Sequence, residues 1–115
     1  VYLRTEIPDR LYYKNHYRIK GLLLIAQEGW SILNFKYPNP ERYTGGDHGY
    51  DNALSSMHAI FLADGPAFKE GYSRGTFENV DIYPLITEIL QLTPNPEIDG
   101  DLENIEDVLS KKINH

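Results

Sequence analysis

The sequence predicts an α/β chain, and three observations predict it. Residues 21–26 and 59–63 are apolar runs of strand length, bounded by glycine, proline and acidic residues. Residues 79–92 instead repeat their apolar side chains at three- and four-residue intervals, the period of an amphipathic helix. Breaker-rich segments such as Pro38-Asn39-Pro40 and Thr93-Pro94-Asn95-Pro96 separate these patterns and mark connections.

Residues 1–5 read as a short strand. Pro8 suits a first helical position, with Asp9 placing negative charge near the positive end of the helix dipole, so a short helix is expected over residues 9–13. Gly21-Leu22-Leu23-Leu24-Ile25-Ala26 suits a buried strand, although periodicity alone does not separate it from helix. The turn at Glu28-Gly29 leads to a second strand over 30–35, and the two suggest a hairpin. A strand-helix-hairpin unit thus forms the small N-terminal part. An exposed connection follows from Pro38 to Gly46.

Residues 59–63 form an apolar strand stopped by Asp64-Gly65-Pro66, and 68–76 make a glycine-punctuated excursion. In the helix of 79–92, Val80, Tyr83, Ile86-Thr87 and Leu90 form the stripe, widened by Ile82, Leu85 and Ile89; Pro84 falls in its first turn, where proline is tolerated. This stripe and the 59–63 strand are expected to share one core, so that Ile86→Asp would prevent folding. From Glu97 the composition turns acidic, with Leu102, Ile105, Val108 and Leu109 at the spacing of a short amphipathic helix, and residues 110–115 are expected to fray.

At 115 residues the chain is one domain or part of one; 41% hydrophobic and 24% charged residues are ordinary globular values. No apolar run approaches the ~18 residues of a membrane span. A net charge of −6 argues against a nucleic-acid polymer as partner, because such modules present a basic face. An acidic protein still handles small phosphate esters when bound cations invert the local field. The absence of cysteine removes disulfides, thiolate zinc sites and cysteine nucleophiles, leaving His and carboxylate as metal ligands. With no Asn-x-Ser/Thr acceptor either, the composition leans toward a periplasmic or secreted bacterial protein.

The chemistry concentrates in Gly46-Asp47-His48-Gly49-Tyr50-Asp51-Asn52. Imidazole is the commonest metal ligand, and glycines around it allow backbone angles that bring His48 forward beside an approaching substrate. On these residues alone a solvated turn histidine is the more ordinary reading of the loop. Asp51 and Asn52 either orient the loop from a second layer of hydrogen bonds or simply cap an Asx turn. Asp47 reads as a solvated carboxylate. The spacing from Asp47 to Asn52 lacks the closing bidentate Glu of a calcium loop. His16, His58 and His115 read as packing or solvated residues. Tyr12, Tyr13 and Tyr17 read as aromatic packing with wet hydroxyls rather than a base-stacking platform, and Trp30 as a core or interface anchor.

Gly49-Tyr50-Asp51-Asn52, then Met57-His58-Ala59-Ile60-Phe61-Leu62-Ala63, Gly65-Pro66-Ala67-Phe68 and Phe77-Glu78-Asn79-Val80-Asp81-Ile82-Tyr83-Pro84-Leu85 occur in one order with short spacers. Together with Val1-Tyr2-Leu3, Glu6-Ile7-Pro8, Arg18-Ile19 and Glu28-Gly29-Trp30, this order resembles the C-terminal part of the catalytic domain of nucleotide pyrophosphatase/phosphodiesterases, in the alkaline phosphatase superfamily. The resemblance runs to about Pro96. It implies an alkaline-phosphatase-like fold, with residues 1–96 as the C-terminal portion of the catalytic domain; composition and spacing make 97–115 an acidic C-terminal helix and tail. It also implies a two-zinc site in which His48 ligates the zinc that binds the substrate phosphate; Asp51-Asn52 matches the family pattern, with its second-layer and Asx-turn roles both open.

The family's threonine nucleophile and remaining Asp and His ligands would precede Val1, so no catalytic nucleophile is assigned here. The function expected is thus a segment of a metal-dependent phosphodiesterase acting on small phosphate diesters or nucleotides, inactive alone and partnered by the rest of its catalytic domain. The competing expectation is a non-catalytic α/β binding module with a vestigial His48.

Overall fold

The computed structural model describes residues 1–33 and 45–110. Residues 34 and 35 of the expected second strand, most of the expected 38–46 connection, and the 111–115 tail with His115 lie outside the described residues. The chain divides into two compact units, Val1–Ile60 and Phe61–His115.

In the first unit, strand β1 (Tyr2–Leu3) pairs antiparallel with β2 (Leu22–Leu23), in the register Tyr2 to Leu23 and Leu3 to Leu22. Arg4 N–H donates to Gly21 C=O at 2.9 Å and extends the contact. The N-terminal strand is therefore present, but the expected hairpin is not: β2 takes β1 as its partner, and residues 30–33 form no strand. The turn explains the difference. Trp30 N–H closes it onto Gln27 C=O at 3.0 Å, with Gly29 alone at positive φ (81°). Hairpin ladders favour primed turns, in which positive φ begins at the first central residue and the twist matches the strands. The expected helix of residues 9–13 is a single 3-10 turn, Asp9–Leu11, ended by Tyr12 at φ 48°. Ile7, just before it, is buried and fixes where that turn begins.

The core of the second unit is built from Leu85, Ile105, Val108 and Leu109, with Phe61, Phe68, Phe77 and Ile89 packed against them. Helix α1 (Ile82–Ile89) follows a 3-10 turn, Asn79–Asp81. It ends in a Schellman motif: Leu92 N–H donates to Thr87 C=O at 2.8 Å and Gln91 N–H to Glu88 C=O at 3.1 Å, with Gln91 left-handed at φ 53°. The helix was legible, but its buried edge is the other side of the stripe. Leu85 is 1% exposed, whereas Ile86 is 49% exposed and Tyr83 and Leu90 also face outward. An Asp at position 86 would therefore meet solvent, and the expectation that Ile86→Asp prevents folding is corrected.

Residues 59–63 belong to no strand or helix; Phe61 packs on the core while Leu62 is 83% exposed. A single aromatic, edge-on to Phe77 at 5.2 Å between ring centroids, makes the core contact expected of the whole run. The amphipathic spacing after Glu97 is realised as two 3-10 turns, Leu102–Asn104 and Glu106–Val108, rather than an α-helix. Phe68 bridges antiparallel to Leu109, and Ser110 N–H donates to Ala67 C=O at 2.8 Å, so the turns are held by backbone contacts as well as side chains.

Two contacts fix the turn region against the start of α1. The buried Asp81 carboxyl accepts from Asp101 N–H at 2.9 Å and from the Asn104 amide at 3.4 Å. Gly100 passes so close to Val80 that a Cβ there would lie 2.1 Å from the Val80 carbonyl oxygen. A hydrogen position is all that fits.

Candidate functional site

His48 is exposed, on a loop with glycine at positive φ on both sides: Gly45 at 116° and Gly49 at 90°. Those angles are strained for any residue with a Cβ, so the glycines define the path that carries the imidazole outward. His48 N–H donates to Asp47 Oδ1 at 2.8 Å, a local contact that leaves the ring uninvolved. The ring borders a cleft of about 400 Å³. Leu24, Trp30, Ile32 and Leu33 form its apolar wall, and Asp47, His48 and Tyr50 its polar one. Trp30, expected as a core or interface anchor, is 71% exposed and lines this cleft, so it is no core residue.

Asp51 does two things. Its Oδ1 accepts from Ala53 N–H at 2.9 Å, the Asx turn anticipated from sequence. It also receives both terminal nitrogens of Arg10, Nη1 to Oδ1 and Nη2 to Oδ2, each at 2.6 Å. Asn52 Oδ1 accepts from the same Nη1 at 3.1 Å. The Arg10 hydrogen bonds, helped by the Ala53 amide, hold the Asp51 carboxyl at about 2, below its ordinary 3.8. Arg10 was missed in the sequence because its partners lie 41 and 42 residues away, and no local pattern reports such a contact.

Among the described residues no three His, Asp or Glu side chains come together as a metal site. His58 caps the turn Ser55–Met57 and is exposed. His16 accepts from Arg18 N–H at 3.2 Å and stacks obliquely on Tyr17, at 4.5 Å between centroids. Tyr12, Tyr13 and Tyr17 are all exposed. His48 is thus the histidine set on a glycine-flanked cleft.

The order of motifs that ends on this loop finds its counterpart among known proteins. The profile of the family described as Type I phosphodiesterase / nucleotide pyrophosphatase matches residues 1–51, a stretch that includes both His48 and Asp51. This match and the relatives that follow support a fragment of a nucleotide pyrophosphatase/phosphodiesterase catalytic domain. It is 48% identical over 96 residues to a mouse protein named bis(5'-adenosyl)-triphosphatase enpp4, covering 84% of this chain and 20% of that one. It is 43% identical over 95 residues to a venom phosphodiesterase of Macrovipera lebetinus, covering 83% of this chain and 11% of the relative. The solved structure of human ectonucleotide pyrophosphatase / phosphodiesterase 5 superposes with a TM-score of 0.82 at 40% identity, over 96% of this chain and 28% of that one. That likeness gives the chain the alkaline-phosphatase-like α/β fold anticipated from its motifs. The chain therefore spans about a fifth of the mouse relative's length and somewhat over a quarter of the human structure's.

Proposed function

We propose that the chain is the portion of a zinc-dependent phosphodiesterase or nucleotide pyrophosphatase that presents His48 to a zinc ion on the substrate-phosphate side of a two-zinc site. The observation that carries the reading is the exposed imidazole held between two left-handed glycines at a cleft, within the segment matched by the family.

The donor chemistry fits zinc. Neutral imidazole is a borderline ligand suited to it, and in a chain without cysteine the further donors are carboxylates, which zinc also accepts. Catalytic zinc takes three protein ligands with one open position, so His48 is one member of a set completed by other parts of the protein. When bound, zinc polarises phosphoryl oxygens and lowers the pKa of a coordinated hydroxyl or water. The chain's own residues have simpler tasks. His48 keeps one ring nitrogen unprotonated and directed outward. Gly45 and Gly49 leave room for a phosphate ester to approach it. Leu24, Trp30, Ile32 and Leu33 offer an apolar surface beside it.

Substrates on this reading are small phosphate diesters or nucleotides. The mouse relative's name points to nucleoside polyphosphates, and the chain's net charge of −6 disfavours nucleic-acid polymers. The venom and ecto-enzyme relatives support a secreted or extracellular setting. No helix among the described residues is long and apolar enough to cross a membrane. On this reading the chain by itself is inactive, since no three potential ligands gather among the described residues.

The test compares wild-type and His48→Ala forms of the complete enzyme on p-nitrophenyl thymidine monophosphate, with zinc content measured in parallel. Loss of zinc and of turnover by orders of magnitude, with the fold retained, is expected. Undiminished zinc and activity in His48→Ala would end the ligand assignment, and a wild-type protein with neither zinc nor turnover would favour the non-catalytic binding module.

A further inference from the structure

We propose that Arg10 is a positioning residue for the metal-facing loop: its guanidinium clamps Asp51 and Asn52, and through them sets where His48 stands. The inference rests on the reading of His48 as a zinc ligand, and it adds a residue 38 positions upstream of it.

The geometry is a fork on a fork. Two parallel bonds of 2.6 Å join Nη1 and Nη2 to the two Asp51 oxygens, and a third of 3.1 Å reaches Asn52 Oδ1. A bidentate guanidinium–carboxylate pair fixes orientation as well as distance. Asp51 cannot swing away with the arginine, because Ala53 N–H also holds its Oδ1 at 2.9 Å. Arg10 is itself held in place. Its 3-10 turn is closed by Leu11 N–H on Pro8 C=O at 3.1 Å and Tyr12 N–H on Asp9 C=O at 2.9 Å, directly after the buried Ile7.

Between the clamp and His48 lie only Gly49 and Tyr50. A loop with glycine on either side of its ligand has many backbone states, and each state moves the imidazole. Fixing the chain at Asp51, immediately beyond this short span, removes most of them. The outer partners of metal ligands act in this way, and their loss typically weakens metal affinity 10–100-fold.

The clamp is also poorly placed to serve as a stability element. The Arg10 and Asp51 side chains are 48% and 27% exposed, and exposed ion pairs contribute little to global stability. A positioning role and a structural role therefore separate in experiment.

The complete enzyme is loaded with zinc or cobalt, and Arg10→Ala, Arg10→Lys, Asp51→Asn and His48→Ala are compared with wild type. For Arg10→Ala the expected results are a zinc dissociation constant raised on the order of 10–100-fold, an altered cobalt visible spectrum and a larger fall in kcat than rise in KM. The metal-free melting temperature should stay close to wild type. Arg10→Lys, which keeps the charge without the fork, should recover only part of the affinity. The double variant Arg10→Ala/Asp51→Asn should be no worse than Arg10→Ala, since both remove one clamp. Wild-type zinc affinity and cobalt spectrum in Arg10→Ala, or full recovery by Arg10→Lys, overturns the inference. If His48→Ala itself keeps zinc and turnover, the ligand reading beneath it fails instead. If Arg10→Ala does not fold, the Arg10→Lys affinity and spectrum decide.

Discussion

The orientation of α1 can be tested by truncating two adjacent side chains that its sequence pattern leaves equivalent. Leu85 is 1% exposed and lies in the cluster with Ile105, Val108 and Leu109, whereas Ile86 is 49% exposed. Leu85→Ala removes buried carbons and leaves a cavity among residues held from three segments, so its cost is about 3 kcal/mol. Ile86→Ala removes a side chain already half in water and opens no enclosed cavity. Half the transfer free energy of a fully buried side chain is roughly 1 kcal/mol. Urea denaturation followed by circular dichroism measures both, and equal slopes for the variants would confirm that only stability changed. Equal losses, or a larger loss for Ile86→Ala, would refute the assignment of the buried edge.

Three further outcomes are expected. Gly100→Ala would put a methyl 2.1 Å from the Val80 carbonyl oxygen, a backbone atom that cannot step aside cheaply, so it should cost roughly 2 kcal/mol or more; an unchanged melting curve would refute the close approach. Gln91→Gly should stabilise the protein by about 0.5–1 kcal/mol in the same assay, because Gln91 carries the left-handed angle that ends α1 and glycine adopts it freely; a loss of stability would count against the Schellman geometry. The Asp51 carboxyl lies lower in the folded protein than its ordinary 3.8, so its contribution is complete above that value and is lost as pH falls toward about 2. Carboxyl NMR should place the Asp51 midpoint near the lower value in wild type and move it upward in Arg10→Ala; the same midpoint in both would remove Arg10 as the cause.

What could be read from the sequence was local. The α1 segment announced itself by period, with Pro84 near its start and Pro94 soon after its end, and the Glu28-Gly29 turn by its glycine. The exposed His48 loop followed from Gly45 and Gly49, whose positive φ angles need no distant partner. What could not be read was set by contacts across the chain. A stripe as wide as that of α1 has two possible buried edges, and only packing by Ile105, Val108 and Leu109 selects Leu85 over Ile86. Apolar spacing at Leu102 and Ile105 is compatible with either α or 3-10 geometry. The tether of Asp101 and Asn104 to the buried Asp81 accompanies the tighter turns. The Leu22–Leu23 strand had an adjacent candidate partner and took a distant one. Arg10 carries no motif at all, because its meaning lies in a fork closed over 41 residues.

Metal ligation by the His48 imidazole can be read from nitrogen NMR of the complete enzyme loaded with cadmium in place of zinc. A resolved cadmium–nitrogen coupling is expected on one His48 ring nitrogen, absent from His16 and His58 and lost in His48→Ala. A His48 ring that shows no coupling and titrates as a free imidazole in the metal-loaded enzyme would contradict it.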